Sequence, residues 1–439
     1  MSPIEIGWLA VGALVLLIVV GMPIGISMML TSFAAVVFLR NDVVAMRMLG
    51  QVANDSLEEY LYAVVPLFVL MGLLVTTSGV GRDTFDVFQR LLKRVLAGLG
   101  IATVFANAVF ASITGISIAS ATVFSRVAVP EMSRHGYTRK FATGVVAGSS
   151  VLGMLLPPSL LFIVYAVQAE ESVGRMFLAG IGPGLLLTVI FTVTIVILAK
   201  FYPSFVFAKQ EVKVEELEDI SALGIVKLAT PIVVLIGLVL GGLYAGLFNP
   251  TEAGAAGAFG ALVIAFLRKS LNGSKLWKML VETGQITVSV LFLILAATFF
   301  SRMLALSGMP QSLAQFLLGG PFGPWGFLIA YIAVVIILGF LIDSVSIMLI
   351  MLPIALPVAI AADFDLIWFG VITVVAVEIG LLTPPFGLSV YTIKSALDLP
   401  DLRVGEIFKG AFPFVLAMLL AIVILIAFPG IATWLPRLS

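Results

Sequence analysis

Two stretches of the sequence interrupt long apolar runs with paired prolines, Gly153-Met-Leu-Leu-Pro-Pro158 and Gly380-Leu-Leu-Thr-Pro-Pro385. Proline has no backbone N–H, so each pair removes two hydrogen-bond donors from a helix, and a bilayer offers no water to replace them. Such a break is tolerated where the freed backbone groups are buried in protein or line a polar cavity. Matching breaks in the two halves of a membrane chain are typical of transporter binding sites. We therefore predict a binding site at these two breaks.

The composition indicates a helical membrane protein. Hydrophobic residues make up 61% of the 439 residues, charged residues make up 11%, and the mean hydropathy is +1.20. These values differ strongly from those of a soluble domain, and they predict an all-α polytopic membrane protein embedded in a lipid bilayer. A formal net charge of zero gives no indication of nucleic-acid binding. The chain contains no cysteine, which excludes disulfides and thiol chemistry.

The two halves of the chain carry landmarks at a nearly constant separation. A shift of 227 residues relates Pro23 to Pro250 and also relates the two proline pairs, and a shift of 229 relates Ser117 to Ser346. Halves of this length are too long for a solenoid unit and suit two homologous helix bundles. We predict three parts, a first repeat, a linker and a second repeat: 1–205, 206–223 and 224–439.

The run 95–125 is predicted to be a re-entrant hairpin. Its 31 residues carry no charge, and basic clusters flank it, ending at Arg94 on one side and starting at Arg126 on the other. Basic residues favour the cytoplasmic side, yet 31 residues are too few for two spans of about 20 residues each. A hairpin that enters and leaves from the cytoplasmic face satisfies both constraints, with its tip within Ser112–Ser120. The alternative is a single tilted span with one misplaced basic cluster.

The run 326–362 is also a predicted hairpin, but its flanking segments are acidic or lack basic residues. The segment before it, 307–325, has no Lys or Arg, and Asp363 follows it, so both of its ends are predicted to lie outside. Asp343 near the middle marks the predicted tip. The two repeats are therefore predicted to be inverted, with one hairpin opening from each face and both termini outside.

The remaining apolar runs are predicted to be about ten spans, which include two broken helices at 141–167 and 366–392. The scaffold helices are predicted within 1–94 and 224–283. The spans predicted from hydropathy are 5–20, 24–39, 61–78, 141–167, 177–199, 224–247, 253–267, 284–306, 366–392 and 411–433. Amphipathic segments on the membrane surface are predicted at 40–58, 82–96 and 270–282.

Each half of the chain offers oxygen atoms that suit an alkali cation. A broken helix frees backbone carbonyls, and hydroxyl groups at a hairpin tip add further oxygen ligands. The cation ligands predicted for the first half are Ser112, Thr114, Ser117, Gly153, Leu156 and Pro157. Those predicted for the second half are Asp343, Ser346, Gly380, Thr383 and Pro384. The alternative for the hydroxyl residues is helix packing through small side chains, which is common in membranes.

Three charged residues lie within otherwise apolar runs. A carboxylate near the bilayer centre costs about 2.5–3.5 kcal/mol, so Asp343 is expected to have a partner, either a bound cation or Arg302. Glu378 lies one turn before the second break, either beside a cation site or as a carboxyl kept protonated by burial. The Arg302 guanidinium either binds an anionic substrate or extends towards the membrane interface.

Enzymatic function is not expected. The sole histidine, His135, lies in a basic loop, so no serine–histidine dyad forms within the membrane. The sequence has no Gly-x-x-x-x-Gly-Lys-Ser/Thr motif, which argues against an ATP-driven pump and leaves an ion gradient or a partner as the energy source. No cofactor is predicted, and no metal beyond the alkali cation.

Six motifs occur in order along the whole chain: Arg134-His-Gly-Tyr-Thr-Arg-Lys-Phe-Ala-Thr-Gly144, Gly153-x-x-x-Pro-Pro-Ser159, Phe177-Leu-Ala-Gly-Ile-Gly-Pro-Gly184, Asn249-Pro-Thr-Glu252, Asp343-Ser344 and Gly380-Leu-Leu-Thr-Pro-Pro-Phe-Gly387. Together they resemble the large membrane subunit of tripartite ATP-independent periplasmic (TRAP) transporters. The resemblance implies sodium-driven import of a small organic acid across the bacterial inner membrane. It implies an elevator motion of a domain that holds both hairpins and both broken helices. It also implies two partners, a small four-helix membrane subunit on a separate chain and a periplasmic substrate-binding protein.

The resemblance places one sodium site at each pair of hairpin tip and break, with the substrate between the tips. The substrate-binding residues that it implies are Ser120, Ser159, Ser344 and Gly387, and Arg302 is a further candidate. Thr114 stands where the 229-residue shift predicts a counterpart of Asp343, so the first site is expected to have neutral ligands. Two alternatives stay open, a stand-alone sodium/dicarboxylate symporter without a binding protein and a passive channel.

Overall fold

The computed structural model describes residues 1–208, 221–321 and 323–438, and these residues form helices without a named strand. The helices of the first half are α1 Pro3–Val19, α2 Ile24–Leu39, α3 Asp42–Glu58, α4 Val64–Thr77, α5 Val80–Leu91, α6 Gly98–Thr114, α7 Ser117–Arg134, α8 Arg139–Ser150, α9 Leu152–Leu155, α10 Leu160–Ala169, α11 Val173–Phe201 and α12 Pro203–Val206. A 3₁₀ turn, Tyr60–Ala63, precedes α4.

The second half is also helical. Its helices are α13 Ala222–Ile236, α14 Gly242–Tyr244, α15 Pro250–Leu267, α16 Gly273–Ser307, α17 Met309–Leu318, α18 Gly323–Gly339, α19 Ser344–Ala361, α20 Leu366–Leu382, α21 Leu388–Leu397, α22 Val404–Ala427 and α23 Gly430–Thr433. A π-helical turn, Gly237–Gly241, joins α13 to α14, and a 3₁₀ turn, Leu435–Leu438, follows α23.

The all-α polytopic class is confirmed. Among the described residues, seven helices are long and apolar enough to cross a bilayer, or up to nine if each of two bent helix pairs is one span. Helices α1 and α2 coincide with predicted spans but have only 17 and 16 residues, fewer than the roughly 20 of a full perpendicular crossing. The inverted relation of the repeats and the outside location of both termini stay predictions.

Two broken helices lie at the centre of the molecule. In α20, every residue from Ile367 to Leu382 is buried, and α8, α9 and α10 are buried along nearly their whole length. Helices that are apolar on all sides belong in a core, which explains this placement. The α8–α9 arm and α10 meet at 41° across the first break, and a non-helical segment, 383–387, separates α20 from α21.

Two helical hairpins pack against the broken helices. Helices α6 and α7 are joined by Gly115 and Ile116, and α18 and α19 are joined by Phe340–Asp343. Gly115 has a φ of 64°, a conformation that glycine adopts without the steric cost of a side chain. The first hairpin extends over 98–134 rather than the predicted 95–125, because α7 continues as a helix past Arg126. The charge at Arg126 marks neither the end of the helix nor the end of its burial, since Ala128, Val129 and Met132 are buried.

Each hairpin contacts both broken helices. The first hairpin packs on α8 and α9, and its α7 also packs along α21 of the second broken helix. The second hairpin packs on α20, and its α19 also packs along α10 of the first broken helix. These crossed contacts interlock the four elements around one centre.

Two predicted boundaries on the membrane surface are wrong. The segment 270–282 and the span 284–306 form one continuous helix, α16, of 35 residues, because no proline interrupts it. The segment 82–96, predicted to be one amphipathic helix, is helical only to Leu91, where α5 ends, and it buries Phe85 and Val87. The third segment, 40–58, corresponds to α3.

Most of the predicted linker 206–223 lies outside the described residues. Its first residues dock on the loop that follows the first hairpin, where Thr138 N–H donates to Val206 O at 2.9 Å and Ala208 N–H donates to Gly136 O at 2.7 Å. Phe207 and Tyr137 form an isolated antiparallel bridge at this point. Residues 206–208 are thereby fixed to the end of the first hairpin.

Candidate functional site

The tip of the first hairpin lies directly against the first break. A Cβ added to Gly115 would collide with the carbonyl oxygen of Pro158, and Leu160 N–H donates to Gly115 O at 3.3 Å. A Cβ added to Gly153 would lie 3.1 Å from the backbone of Ile116 and Ser117. The structure therefore brings together the hairpin tip and the break that the sequence paired.

Gly153 and Gly380 are helical, which corrects the prediction that both breaks start at these glycines. Helix α9 continues to Leu155, and α20 continues to Leu382. The glycines instead allow close helix contact, since a Cβ on Gly380 would lie 2.6 Å from Gly339 Cα on α18. The carbonyl of Gly153 still lacks its usual helical donor, because residue 157 is a proline.

The hydroxyl groups of the first hairpin divide into two classes. Ser112 and Thr114 donate to carbonyls of their own helix, Ala108 O at 3.0 Å and Phe110 O at 3.2 Å. Ser117 and Ser120 are fully buried, and their hydroxyls have no hydrogen-bond partner among the described residues. A buried polar group without a partner costs about 1–3 kcal/mol, so these two hydroxyls are the ones suited to an added ligand.

Ser159, at the end of the first break, caps the following helix. Its hydroxyl donates to Met154 O and accepts from Phe162 N–H at 3.3 Å. Leu156 and Pro157, which precede it, are buried and not helical. The hydroxyl of Ser159 is therefore engaged within the break, and its contact with a substrate stays a prediction.

Asp343 caps the helix α19 in the second hairpin. Its Oδ1 accepts hydrogen bonds from the backbone N–H groups of Val345 and Ser346, each at 3.1 Å. The alternative ion pair with Arg302 is wrong, because the Arg302 guanidinium contacts Asp55 Oδ2 on α3 at 2.7 Å. The Asp343 carboxylate is thus held by a helix N-terminus, whose dipole favours negative charge.

The second break is more open than the first. Residues 156–159 are all buried, whereas Thr383 is half-buried and Pro384 to Phe386 are exposed. Thr383 donates its hydroxyl to Ile379 O at 2.7 Å, and its N–H bonds to Gly380 O at 3.0 Å. The structure joins the second hairpin to α20 at Gly339 and leaves Pro384 to Phe386 of the second break exposed.

Glu378 lies beside one residue from each hairpin tip. Its side chain is 1% exposed, and Ser344 Oγ donates to its Oε1 in a long hydrogen bond of 3.5 Å. Ser117 from the first hairpin faces the same carboxyl, while Oε2 has no hydrogen-bond partner in the described part of the chain. The sequence indicated Glu378 as a lone carboxyl in an apolar helix, but not its contact with Ser117, which is 261 positions away.

The predicted substrate-binding residues do not all converge. Ser120 and Ser344 lie on the first turns of α7 and α19, and Ser344 contacts Glu378. Gly387 starts α21 with a φ of 48°, and a Cβ there would collide with the Phe408 ring on α22. Arg302 lies apart, on α16 beside α3.

The donor set suits a monovalent cation. No group of three or more His, Cys, Asp or Glu side chains that could hold a metal ion occurs among residues 1–208, 221–321 and 323–438. Hydroxyl, carbonyl and single carboxylate oxygens are hard ligands, which do not select soft transition metals. The binding of an alkali cation at this site stays a prediction.

Comparison with known proteins gives consistent results. Residues 11–431 match the family model of the tripartite ATP-independent periplasmic transporter, DctM component. The chain is 34% identical over 384 residues to the C4-dicarboxylate TRAP transporter large permease protein DctM of Pseudomonas aeruginosa, covering 87% of this chain and 88% of that one. It is 28% identical to the sialic acid TRAP transporter large permease protein SiaM of Vibrio cholerae, covering 98% and 97%.

Two solved transporters share the fold. The Alcanivorax borkumensis YdaH transporter superimposes with a TM-score of 0.60 at 13% identity, covering 90% of both chains. The Neisseria gonorrhoeae MtrF protein superimposes with a TM-score of 0.61 at 14% identity, covering 89% of this chain and 85% of that one. At such identities the likeness concerns the fold alone.

Proposed function

Since this chain belongs to the DctM family and is an integral membrane large permease of the TRAP type, we propose that it imports a small organic anion by sodium-coupled secondary transport. The observation that carries this proposal is the contact of the first hairpin tip with the first break. Ser117 and Ser120 are buried, their hydroxyls have no hydrogen-bond partner among the described residues, and the backbone of Ser117 lies against Gly153, just before the prolines that remove donors. This arrangement supplies oxygen ligands within an apolar surrounding.

The second half supplies the charge that the first half lacks. Asp343 and Glu378 are carboxyl groups beside the second hairpin, while the hydroxyl residues of the first hairpin are neutral. Moving one net positive charge inward gains about 2.3 kcal/mol per 100 mV of membrane potential. Two sodium ions carried with one monoanion would thus use both the sodium gradient and the potential.

We propose an elevator motion for the moving part. The crossed contacts of α7 with α21 and of α19 with α10 hold both hairpins and both broken helices together. Helices α2, α4, α15 and α16 pack with one another outside this group and form the complementary scaffold. A rigid group with the site at its centre could cross the membrane without dismantling the site.

We further propose two partners and a bacterial inner-membrane location. Relatives are named as large permease proteins, and an isethionate TRAP transporter permease protein, DctMQ, of Oleidesulfovibrio alaskensis is longer, since this chain covers 65% of it. A small membrane subunit on a separate chain would correspond to the part of the longer permease that this chain does not cover. A periplasmic binding protein would select the substrate and deliver it to the open side of the second break.

Reconstitution tests this proposal and its alternatives. Liposomes would contain this chain alone, with the small subunit, or with both the small subunit and the binding protein, and would be given labelled C4-dicarboxylate, sialic acid or isethionate. We expect saturable uptake only with all three proteins and an inward sodium gradient. Uptake by this chain alone would favour a stand-alone symporter, and sodium-independent flux without saturation would favour a passive channel.

A further inference from the structure

We propose that a basic cavity between α13 and α15, at the junction of α4 and α5, binds the phosphate headgroup of an anionic phospholipid. This α13–α15 cavity has a volume of about 670 Å³, and its walls come from the α4–α5 junction and from the facing sides of α13 and α15. Such a volume is typical of sites for small ligands. The proposal goes beyond the transport function and does not depend on sodium coupling.

The cavity lies where three membrane spans end. Helix α4 ends at Thr77, α13 begins at Ala222 and α15 ends at Leu267, and all three belong to spans long and apolar enough to cross a bilayer. Span ends lie near the headgroup layer, so an occupant of this cavity is at the level of the lipid phosphates. The basic segment 82–94 follows directly, and such segments favour the cytoplasmic side.

The cavity is a gap between two antiparallel helices that touch further inside the membrane. A Cβ added to Gly260 on α15 would lie 3.0 Å from Leu235 on α13, so the helices are in contact there. One turn nearer the membrane face, Pro231 and Ile264 already line the cavity. The gap therefore opens towards the headgroup layer and is closed towards the bilayer centre.

The walls of the cavity carry a net positive charge. Arg82, Lys227 and Arg268 supply three positive charges, Asp83 supplies one negative charge, and the difference is two positive charges. Asp83 is already paired, since its Oδ2 lies 2.5 Å from Arg268 Nη1. Arg82 and Lys227 are exposed and form no ion pair within the described chain, even with Asp86, one turn beyond Arg82 on α5. These two side chains are available to an anion.

Helix ends add partial charges to the same cavity. Helix α5 begins at Val80, directly after Ser78 and Gly79 of the cavity wall, and no side chain caps its N-terminus. The first N–H groups of a helix lack carbonyl partners, and an N-terminus of this kind favours a phosphate. Helix α15 presents its negative end here, and Arg268 at its C-cap offsets that charge.

The surroundings favour a phospholipid over free phosphate. In an 18-residue apolar stretch of the span Leu223–Tyr244, 17% of the residues are buried, the smallest share among the seven spans of the described chain. Beside the cavity, Val226, Phe266 and Leu267 are exposed. Acyl chains attached to a bound phosphate would cover these side chains. Basic pockets between membrane helices at the cytoplasmic side bind anionic lipid headgroups in this way.

Lipid binding to the purified full-length chain tests the site. Native mass spectrometry would measure the affinity for phosphatidylglycerol, with zwitterionic phosphatidylethanolamine as the comparison lipid. Arg82→Gln/Lys227→Gln removes the two charges without an ion pair. Arg47→Gln/Lys278→Gln is the matched control, since it removes one exposed arginine and one exposed lysine outside the cavity. We expect the first variant to bind phosphatidylglycerol at least about tenfold more weakly and the control to match the wild type.

A charge-conserving variant protects the test against misfolding. Arg82→Lys/Lys227→Arg keeps both positive charges and should retain most of the phosphatidylglycerol binding. Equal loss in this variant, unchanged binding in Arg82→Gln/Lys227→Gln, or equal affinity of the wild type for the two lipids would overturn the proposal. Inorganic phosphate that competes with the affinity of phosphatidylglycerol itself would identify a free-phosphate site and overturn the lipid assignment. Displacement of the lipid by the small membrane subunit would assign the cavity to a protein interface and overturn it too.

Discussion

At the scale of single residues, the two carboxyl groups near the second hairpin have different surroundings. Asp343 is half-buried and accepts two backbone N–H groups at the start of α19. Glu378 is fully enclosed and has one long hydrogen bond from Ser344. The helix N-terminus stabilises the first carboxylate, whereas the second depends on groups from two hairpins.

Substitution of Asp343 separates its capping role from its charge. Asn is as good an N-cap as Asp, so Asp343→Asn should keep the wild-type melting temperature and lose sodium-coupled uptake. Asp343→Ala should lose uptake and also about 1 kcal/mol of stability, because the cap is removed. Thermal unfolding and uptake in proteoliposomes measure the two effects.

The control for this prediction is Asp365→Asn, which changes another N-cap aspartate, at the far end of α20. It should leave sodium-coupled uptake unchanged. Full coupling in Asp343→Asn would remove the Asp343 carboxylate from the ion site.

At the scale of elements, each break depends on a glycine contact as well as on its prolines. Gly115 at the first hairpin tip has a positive φ and touches the Pro158 carbonyl. Gly339 and Gly380 let α18 and α20 approach each other backbone to backbone. These contacts, rather than unwinding at glycine, fix where a hairpin meets a broken helix.

A single methyl group at the first tip tests this contact. Gly115→Ala requires an unfavourable backbone conformation and a collision with Pro158, so it should destabilise the protein by about 1–3 kcal/mol and reduce sodium protection against heat. Gly12→Ala, on α1, meets no atom within 4 Å and should be neutral or stabilising by about 0.5–1 kcal/mol. Equal melting temperatures for the two variants would contradict the close packing of the tip.

The sequence predicted that the breaks and the first hairpin exist better than it predicted the residues at which they begin and end. Paired prolines located both breaks, and basic clusters located the first hairpin, because these signals are local. Gly153 was read as part of the break, since the sequence does not show that a second backbone, Ile116–Ser117, lies against it. The Arg302–Asp55 pair and the contact of Ser117 with Glu378 join residues far apart in the chain, so no local pattern indicated either.

At the scale of the whole molecule, the hairpins should open from opposite faces of the membrane. Arg94 precedes the first hairpin, Arg134 is its last residue, and both are exposed. The chain has no cysteine, so Arg94→Cys and Arg134→Cys would each carry a unique thiol. Both should react with an impermeant reagent from the cytoplasmic side only, because basic segments favour that side. Labelling from opposite sides would contradict the re-entrant hairpin.

The interlocked centre explains how one chain could couple ions to cargo. Both hairpins, both breaks and Glu378 belong to one packed group, so in the proposed mechanism an ion bound at a tip would act on the whole group. The second break is the exposed part of this group, and it is where a delivered substrate would enter.

The most direct test of sodium coupling is the movement of sodium itself. Liposomes that contain the complete transporter would receive radioactive sodium outside, with and without the transported anion, and the entry of both solutes would be measured together. The account predicts that sodium enters only when the anion is present, with more than one ion for each anion. Anion entry at the same rate without accompanying sodium would contradict it.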